Sequence, residues 1–152
     1  MPVYETSVII DCPQERAYEF LLRPENIAKI SPPELGLAFT KAPEVLDLGS
    51  EFEFKVQAYG HVLTMIHKIT ELVPRNQITE TQVKGFFGQW IHTHLFQTND
   101  KGQLTVADRI EFKPPGGMLG LLVSANKILD QLDEGYHYRH KQLQKLLTEA
   151  PG

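Results

Sequence analysis

Five side chains in the middle of the sequence could transfer protons or hold a metal: His67, Glu80, His92, His94 and Asp108. A carboxylate beside an imidazole fixes its tautomer and raises its pKa, which suits general acid–base chemistry. The same pairing can equally be a hydrogen-bond network that satisfies itself in an apolar interior and orients a ligand. His92-Thr93-His94 carries a third meaning. On a strand, His-x-His sets both imidazoles on one face, where His67 or Glu80 could complete three metal ligands. That signal alone is weak, and neither a metal nor a cofactor is expected. Nucleophilic chemistry fits less well. Cys12 is the only thiol. It stands at a helix start, where the dipole lowers a thiol pKa, but at an outer corner, so packing or capping is expected of it. Ser7 and Ser124 have no evident histidine partner, and Pro114-Pro115-Gly116-Gly117 lacks the Lys and Ser/Thr of a phosphate loop.

Whether the five groups meet depends on the elements that carry them. A strand is expected over 3–10, rich in β-branched residues. Asp11-Cys12-Pro13-Gln14-Glu15 reads as a helix start, with Asp11 or Cys12 as cap and Pro13 in the first turn. That helix ends before Pro24, a second runs over about 25–30, and a weak strand follows near 35–40. Strands are then expected over 49–58, 61–72, 77–83, 89–97 and 104–112. The short turns between them describe an antiparallel meander. After Pro115 the period changes from 2 to 3.6. Leu122, Ala125, Leu129, Leu132, Tyr136, Leu143 and Leu147 form one stripe. No proline interrupts until Pro151, so one helix of about thirty residues, about 45 Å long, is expected.

Period-2 alternation then assigns faces. Leu104, Val106, Asp108, Ile110 and Phe112 share the more apolar face of the last strand. Trp90, His92, His94 and Phe96 share one face of the strand before it, with an aromatic at each end favouring the interior. Leu63, Met65, His67 and Ile69 look inward, and an inward Ile78 brings Glu80 and Gln82 with it. A hairpin centred on Asp100 sets His92 opposite Asp108, His94 opposite Val106 and Phe96 opposite Leu104, with facing Cβ atoms about 5 Å apart.

Composition bounds the rest. The chain has 152 residues, of which 41% are hydrophobic, and a net charge of −4. That suits one globular domain over 1–152 that folds without disulfides. The mild acidity argues against a duplex nucleic-acid binder. No secretory signal and no stretch of membrane-spanning length is visible, so a cytoplasmic protein without integral membrane association is expected. The class is α+β: a sheet with one buried face and a long helix to cover it. A strongly curved sheet is not filled along its whole width by one helix, which leaves a cavity between the two.

This arrangement resembles the helix-grip fold of the START, birch-pollen-allergen and polyketide-cyclase superfamily (SRPBCC). The likeness is greatest to an uncharacterised bacterial subfamily of ligand-binding SRPBCC domains. It is carried by Asp11-Cys12-Pro13 with Glu15 and Phe20, Pro24-Glu25-Asn26, Ser31-Pro32-Pro33, Val83 to Trp90 with His92, His94 and Phe96, Asp108-Arg109, Pro115-Gly116 and Tyr138-Arg139-His140. The family's usual Gly-Pro-Phe reads Gly85-Phe86-Phe87. The resemblance implies a curved antiparallel sheet of six to seven strands wrapped around a long C-terminal helix, with two short helices after the first strand. It also implies a pocket for an apolar small molecule or lipid, and leaves open whether the chain is an enzyme.

The expected ligand contacts are Trp90, His92, His94, His67, Glu80, Asp108, Tyr136, Arg139, Phe54, Met65, Phe86 and Phe87. Phe86 and Phe87 sit between two glycines and are expected at the entrance. Arg139 is either a surface residue or reaches a ligand carboxylate or Glu80. His137 and His140 are expected on the solvated flank of the helix. Three functions compete. The first is binding of a hydrophobic or amphipathic small molecule. The second is a cyclase, dehydratase or hydrolase with His92 and Asp108 as the catalytic pair. The third is an interaction or co-chaperone-like module, or a homodimer, using Ile66, Ile91 and Leu95 on the outer sheet face.

Overall fold

The computed structural model describes residues 1–149; Pro151 lies outside them. Strand β1 (Val3–Ile10) leads to helices α1 (Gln14–Leu21) and α2 (Pro24–Lys29). A single 3₁₀ turn, Pro33–Leu35, closes on Gly36 in the left-handed conformation. Strands β2 (Ala38–Lys41), β3 (Glu51–Ala58), β4 (His61–Val73), β5 (Gln77–Lys84), β6 (Gln89–Thr98) and β7 (Leu104–Lys113) follow. They form one antiparallel sheet in the order β1-β7-β6-β5-β4-β3-β2. From β2 to β7 consecutive strands pair, and β1 forms the opposite edge beside β7. Register shifts in β4, at Ile66/His67 and Ile69/Glu71, mark bulges that add to the bend of the sheet.

Two expectations about helices are corrected. Pro13, not Asp11 or Cys12, occupies the cap position of α1, and no side chain caps it. The long C-terminal helix is broken. A four-residue α3 (Leu119–Leu122) ends at Val123, whose φ of −120° is not helical, and Ser124 starts α4 (Ala125–Thr148) by accepting a bond from the Lys127 amide. Those 24 residues span about 36 Å. Leu122, expected on the buried stripe, is 72% exposed. The apolar spacing runs on through the break, so periodicity could not find it.

The interior has two apolar clusters. One gathers α1, Ile69, Ile78, Phe96, Leu104 and Val106 under Leu143 and Leu147 at the end of α4. The other gathers Tyr4, Val56, Leu63, Met65, Phe87, Ile110 and Phe112 under Val123, Ile128 and Tyr136. On β4, β6 and β7 the inward residues between the two clusters are polar, and Glu80 of β5 joins them. His67 on β4, Glu80 on β5, His92 and His94 on β6 and Asp108 on β7 form a belt across the sheet. Arg139 and His140 continue it on α4. The last turn of α4 is tied down by Arg16 of α1, whose guanidinium donates to the carbonyls of Leu147 (2.7 Å) and Glu149 (2.8 Å).

No helix among the described residues is long and apolar enough to cross a membrane.

Candidate functional site

The belt's geometry starts from register. His94, not His92, faces Asp108, while His92 faces Ile110 and Phe96 faces Val106. The pairing is displaced by two residues along β7 from a hairpin centred on Asp100. The cause is the turn. Asn99 accepts from the Lys101 and Gln103 amides through its side chain, and Gly102 adopts φ 76°, so the loop takes residues 99–103. A displacement of two keeps each side chain on its face. His92 therefore still reaches Asp108, now along the diagonal.

Asp108 Oδ1 collects the network. His92 Nε2 lies at 2.8 Å, His94 Nδ1 at 2.9 Å and the Tyr136 hydroxyl at 3.3 Å. Tyr136 Oη is also 2.9 Å from His92 Nε2, and Arg139 Nη2 stands 3.8 Å from Asp108 Oδ1. Ionised carboxylates only accept, so His92 Nε2 and His94 Nδ1 carry the protons they share with Asp108. Glu80 forms the opposite wall. Its Oε2 takes a bond from His67 Nδ1 at 2.8 Å. Its Oε1 lies 3.3 Å from His94 Nε2 and 3.5 Å from His92 Nδ1. The two imidazoles of β6 are thus clamped between two carboxylates, with ring centroids 3.9 Å apart.

The electrostatics follow from burial and charge. Burial alone would raise the Asp108 carboxyl. The Arg139 guanidinium and the two imidazole donors outweigh it and hold Asp108 well below the usual carboxylate range. Burial opposes ionisation of Glu80 in the same way, and hydrogen bonds from His67 and His94 hold it low. The two histidines part company. Burial, reinforced by its charged neighbour His94, pushes His92 down to about 4. Burial also works against a charged His94, but the bonds to Asp108 and Glu80 overcome it and raise its pKa. Burial, with Asp108 nearby, drives the Tyr136 phenol well above its ordinary value. At neutral pH the cluster therefore holds two carboxylates and Arg139 beside a neutral His92, while His94 holds its second proton more firmly than a free imidazole does.

A cavity of about 720 Å³ lies between sheet and α4, with the belt at one side. Trp90, His92, His94, His67, Glu80, Tyr136, Arg139, Phe54, Met65 and Phe87 line it. Two expected contacts do not. Asp108, 1% exposed, sits behind the imidazoles. Phe86 turns away and stacks on Tyr59, centroids 5.3 Å apart and rings 9° from parallel. Phe87 stays on the wall, because Gln82 donates to its carbonyl at 2.9 Å and accepts from its amide at 3.3 Å. Leu35, Leu37 and Tyr59 also line the cavity. No periodic signal marks them, because they lie in a turn and irregular chain. Gln82, expected on the inner face with Ile78 and Glu80, holds Phe87 rather than lining the cavity.

Arg139 is not a surface residue. Its side chain is 12% exposed and lies over the Tyr136 ring at 5.2 Å. His140 is also less solvated than expected. Its ring packs on Tyr136 at 5.6 Å, and its Nε2 is buried with no hydrogen-bond partner among the described residues. On the outer sheet face Leu95 is exposed, while Ile66 and Ile91 are partly covered.

Neither a protein-family model nor a curated protein matches the chain. Solved structures do. A Chromobacterium violaceum protein, 22% identical, aligns with a TM-score of 0.74 over 99% of this chain and 100% of that one. A Thermus thermophilus protein, 17% identical, gives 0.69 over 96% and 97%. The major latex-like protein 151 of Panax ginseng, 13% identical, gives 0.70 over 97% and 98%. Likeness at these identities is a likeness of fold. With its curved seven-stranded antiparallel sheet, two short helices after the first strand and long C-terminal helix, the chain has the helix-grip fold.

Proposed function

We propose that the protein binds an apolar or amphipathic small molecule in the cavity between sheet and α4, its polar end meeting the belt. One observation carries this reading: a space of about 720 Å³ with Phe54, Leu63, Met65, Phe87, Trp90 and Ile128 on its walls and His94, Glu80 and Arg139 grouped together. Small-molecule sites combine that volume, about 300–1,000 Å³, with that division between apolar wall and few polar groups. The lone cysteine suits a reducing compartment, and we place the protein in the cytoplasm. Native mass spectrometry of the purified protein, followed by solvent extraction, tests the reading. A bound fatty acid, aromatic or polyketide-like compound is expected, or saturable uptake of an apolar fluorescent probe. A protein that neither carries nor accepts such a molecule would rule it out.

Acid–base catalysis of the cyclase, dehydratase or hydrolase kind is the second reading. It is favoured by the opposite pKa shifts of adjacent His92 and His94, the pattern that separates a base from an acid at one pH. Neutral His92 is then the base and His94 the acid, with Tyr136 and Asp108 fixing the His92 ring. It predicts that His92→Ala abolishes turnover of a bound ligand while the fold stays intact.

A further inference from the structure

The space between Glu80 and the two β6 imidazoles has an unusual donor balance. Asp108 Oδ1 takes one ring proton from His92 and one from His94. The second nitrogen of each ring, His92 Nδ1 and His94 Nε2, therefore points toward Glu80 Oε1, at 3.5 and 3.3 Å. Glu80 Oε1 has no proton to offer either. Three electron-pair donors, His92 Nδ1, His94 Nε2 and Glu80 Oε1, converge from two strands. One ligand atom from each of Glu80, His92 and His94 lies within 4.8 Å of the others.

A metal ion satisfies this arrangement better than a proton. Tetrahedral ligands at 2.0–2.1 Å from zinc stand roughly 3.3 Å apart, close to the 3.5 and 3.3 Å that separate Glu80 Oε1 from the two ring nitrogens. The surroundings have the form that orients metal ligands. A histidine ligand ordinarily gives its other ring N–H to a carboxylate, and a carboxylate ligand is itself hydrogen-bonded. Asp108 does the first for both imidazoles, and His67 Nδ1 does the second for Glu80 at 2.8 Å. Glu80, His92 and His94 all line the cavity, so the remaining coordination positions would face it.

We propose that Glu80, His92 and His94 bind one divalent transition-metal ion of the zinc class at the cavity wall, with Asp108 and His67 holding the ligands in place. Imidazole and carboxylate bind a metal only in their unprotonated forms, so uptake competes with protons and weakens as pH falls. The surroundings fit as well: two carboxyl side chains, Glu80 and Asp108, flank the imidazoles, and Arg139 is the one fixed cation within 4 Å of either among the described residues. Two imidazoles and one carboxylate with open positions suit zinc, cobalt or ferrous iron rather than calcium or magnesium.

The test uses chelator-stripped full-length protein titrated with Co²⁺ and then Zn²⁺ near pH 7.5. One equivalent of Co²⁺ should give a visible absorption band that Zn²⁺ abolishes. Calorimetry in two buffers of different ionisation enthalpy should show proton release. Glu80→Gln and His94→Ala should each weaken binding about 100-fold or more, and Asp108→Asn by about 10–100-fold. Exposed His137→Ala should leave it unchanged. In the wild type, Zn²⁺ should move the ring-nitrogen resonances of His92 and His94, which needs no variant to fold. Failure of the wild type to bind one equivalent overturns the proposal, as does binding that survives His94→Ala and is lost in His137→Ala. Probe uptake measured in the same samples keeps the cavity reading separate, because each can fail without the other.

Discussion

Asp108 shows how a buried charge is kept. Its Oδ1 faces His92, His94, Tyr136 and, at 3.8 Å, Arg139, while its Oδ2 has no hydrogen-bond partner among the described residues. Removing the charge leaves the Arg139 guanidinium without its carboxylate in an apolar interior. Breaking such a buried pair costs about 3–5 kcal/mol, so Asp108→Asn should lower the urea-unfolding free energy by that order. The pH dependence follows from the same groups. His92 is pushed down to about 4 in the fold from an ordinary 6.5. The unfolded chain therefore binds a proton that the folded one refuses, and stability falls as pH drops from 6.5 toward 4. The loss approaches ~3 kcal/mol below pH 4. Asp108 and Glu80, held low in the fold, add their own loss below pH 4. His94, raised in the fold, has the opposite sign. Its contribution is present in acid and is lost as pH rises through its folded value. Below pH 6.5 the His94 contribution is complete, so urea unfolding at pH 6.0, 5.5 and 5.0 should show stability declining before ordinary carboxylates titrate, and His92→Gln should remove that early decline.

At the scale of elements, parity was legible and register was not. Alternation, with the aromatic ends of the His92 strand and an inward Ile78 to fix the sense, put His67, Glu80, His92, His94 and Asp108 on inner faces, because burial of one sheet face acts on every second residue. It could not choose between partners two residues apart, since both choices satisfy it. The choice belongs to the Asn99 side-chain bonds and the left-handed Gly102. The break at Val123 escaped for a similar reason: Leu119, Leu122 and Ala125 continue the helical spacing into a segment that is not one helix. Two local devices hold α4 in place, and both are testable. Ser124 caps its first turn, so Ser124→Ala should cost about 1 kcal/mol. Arg16 binds carbonyls at its last turn, so Arg16→Ala should cost about 1–2 kcal/mol through lost charge-assisted bonds. Denaturant midpoints with unchanged slopes would check both.

Over the whole molecule, the belt divides a packed half from a hollow half. The packed half, under Leu143 and Leu147, contains most of the side chains that are almost fully buried. The other half surrounds the cavity, so the 41% hydrophobic content serves two ends: part excludes water by packing, part by lining a space. A space of this kind costs stability, because its walls lose contacts that a filled core would make. Leu63, on the cavity wall and 9% exposed, allows these ends to be separated. Leu63→Phe adds volume toward the cavity, and cavity filling commonly stabilises by about 0.5–2 kcal/mol. The variant should therefore unfold at higher urea while taking up less apolar probe. A solid core would respond differently, since an added ring would force strain of about 1–3 kcal/mol and the protein would lose stability. Opposite signs for stability and uptake are expected only where the room inside the fold is kept open for something else to occupy.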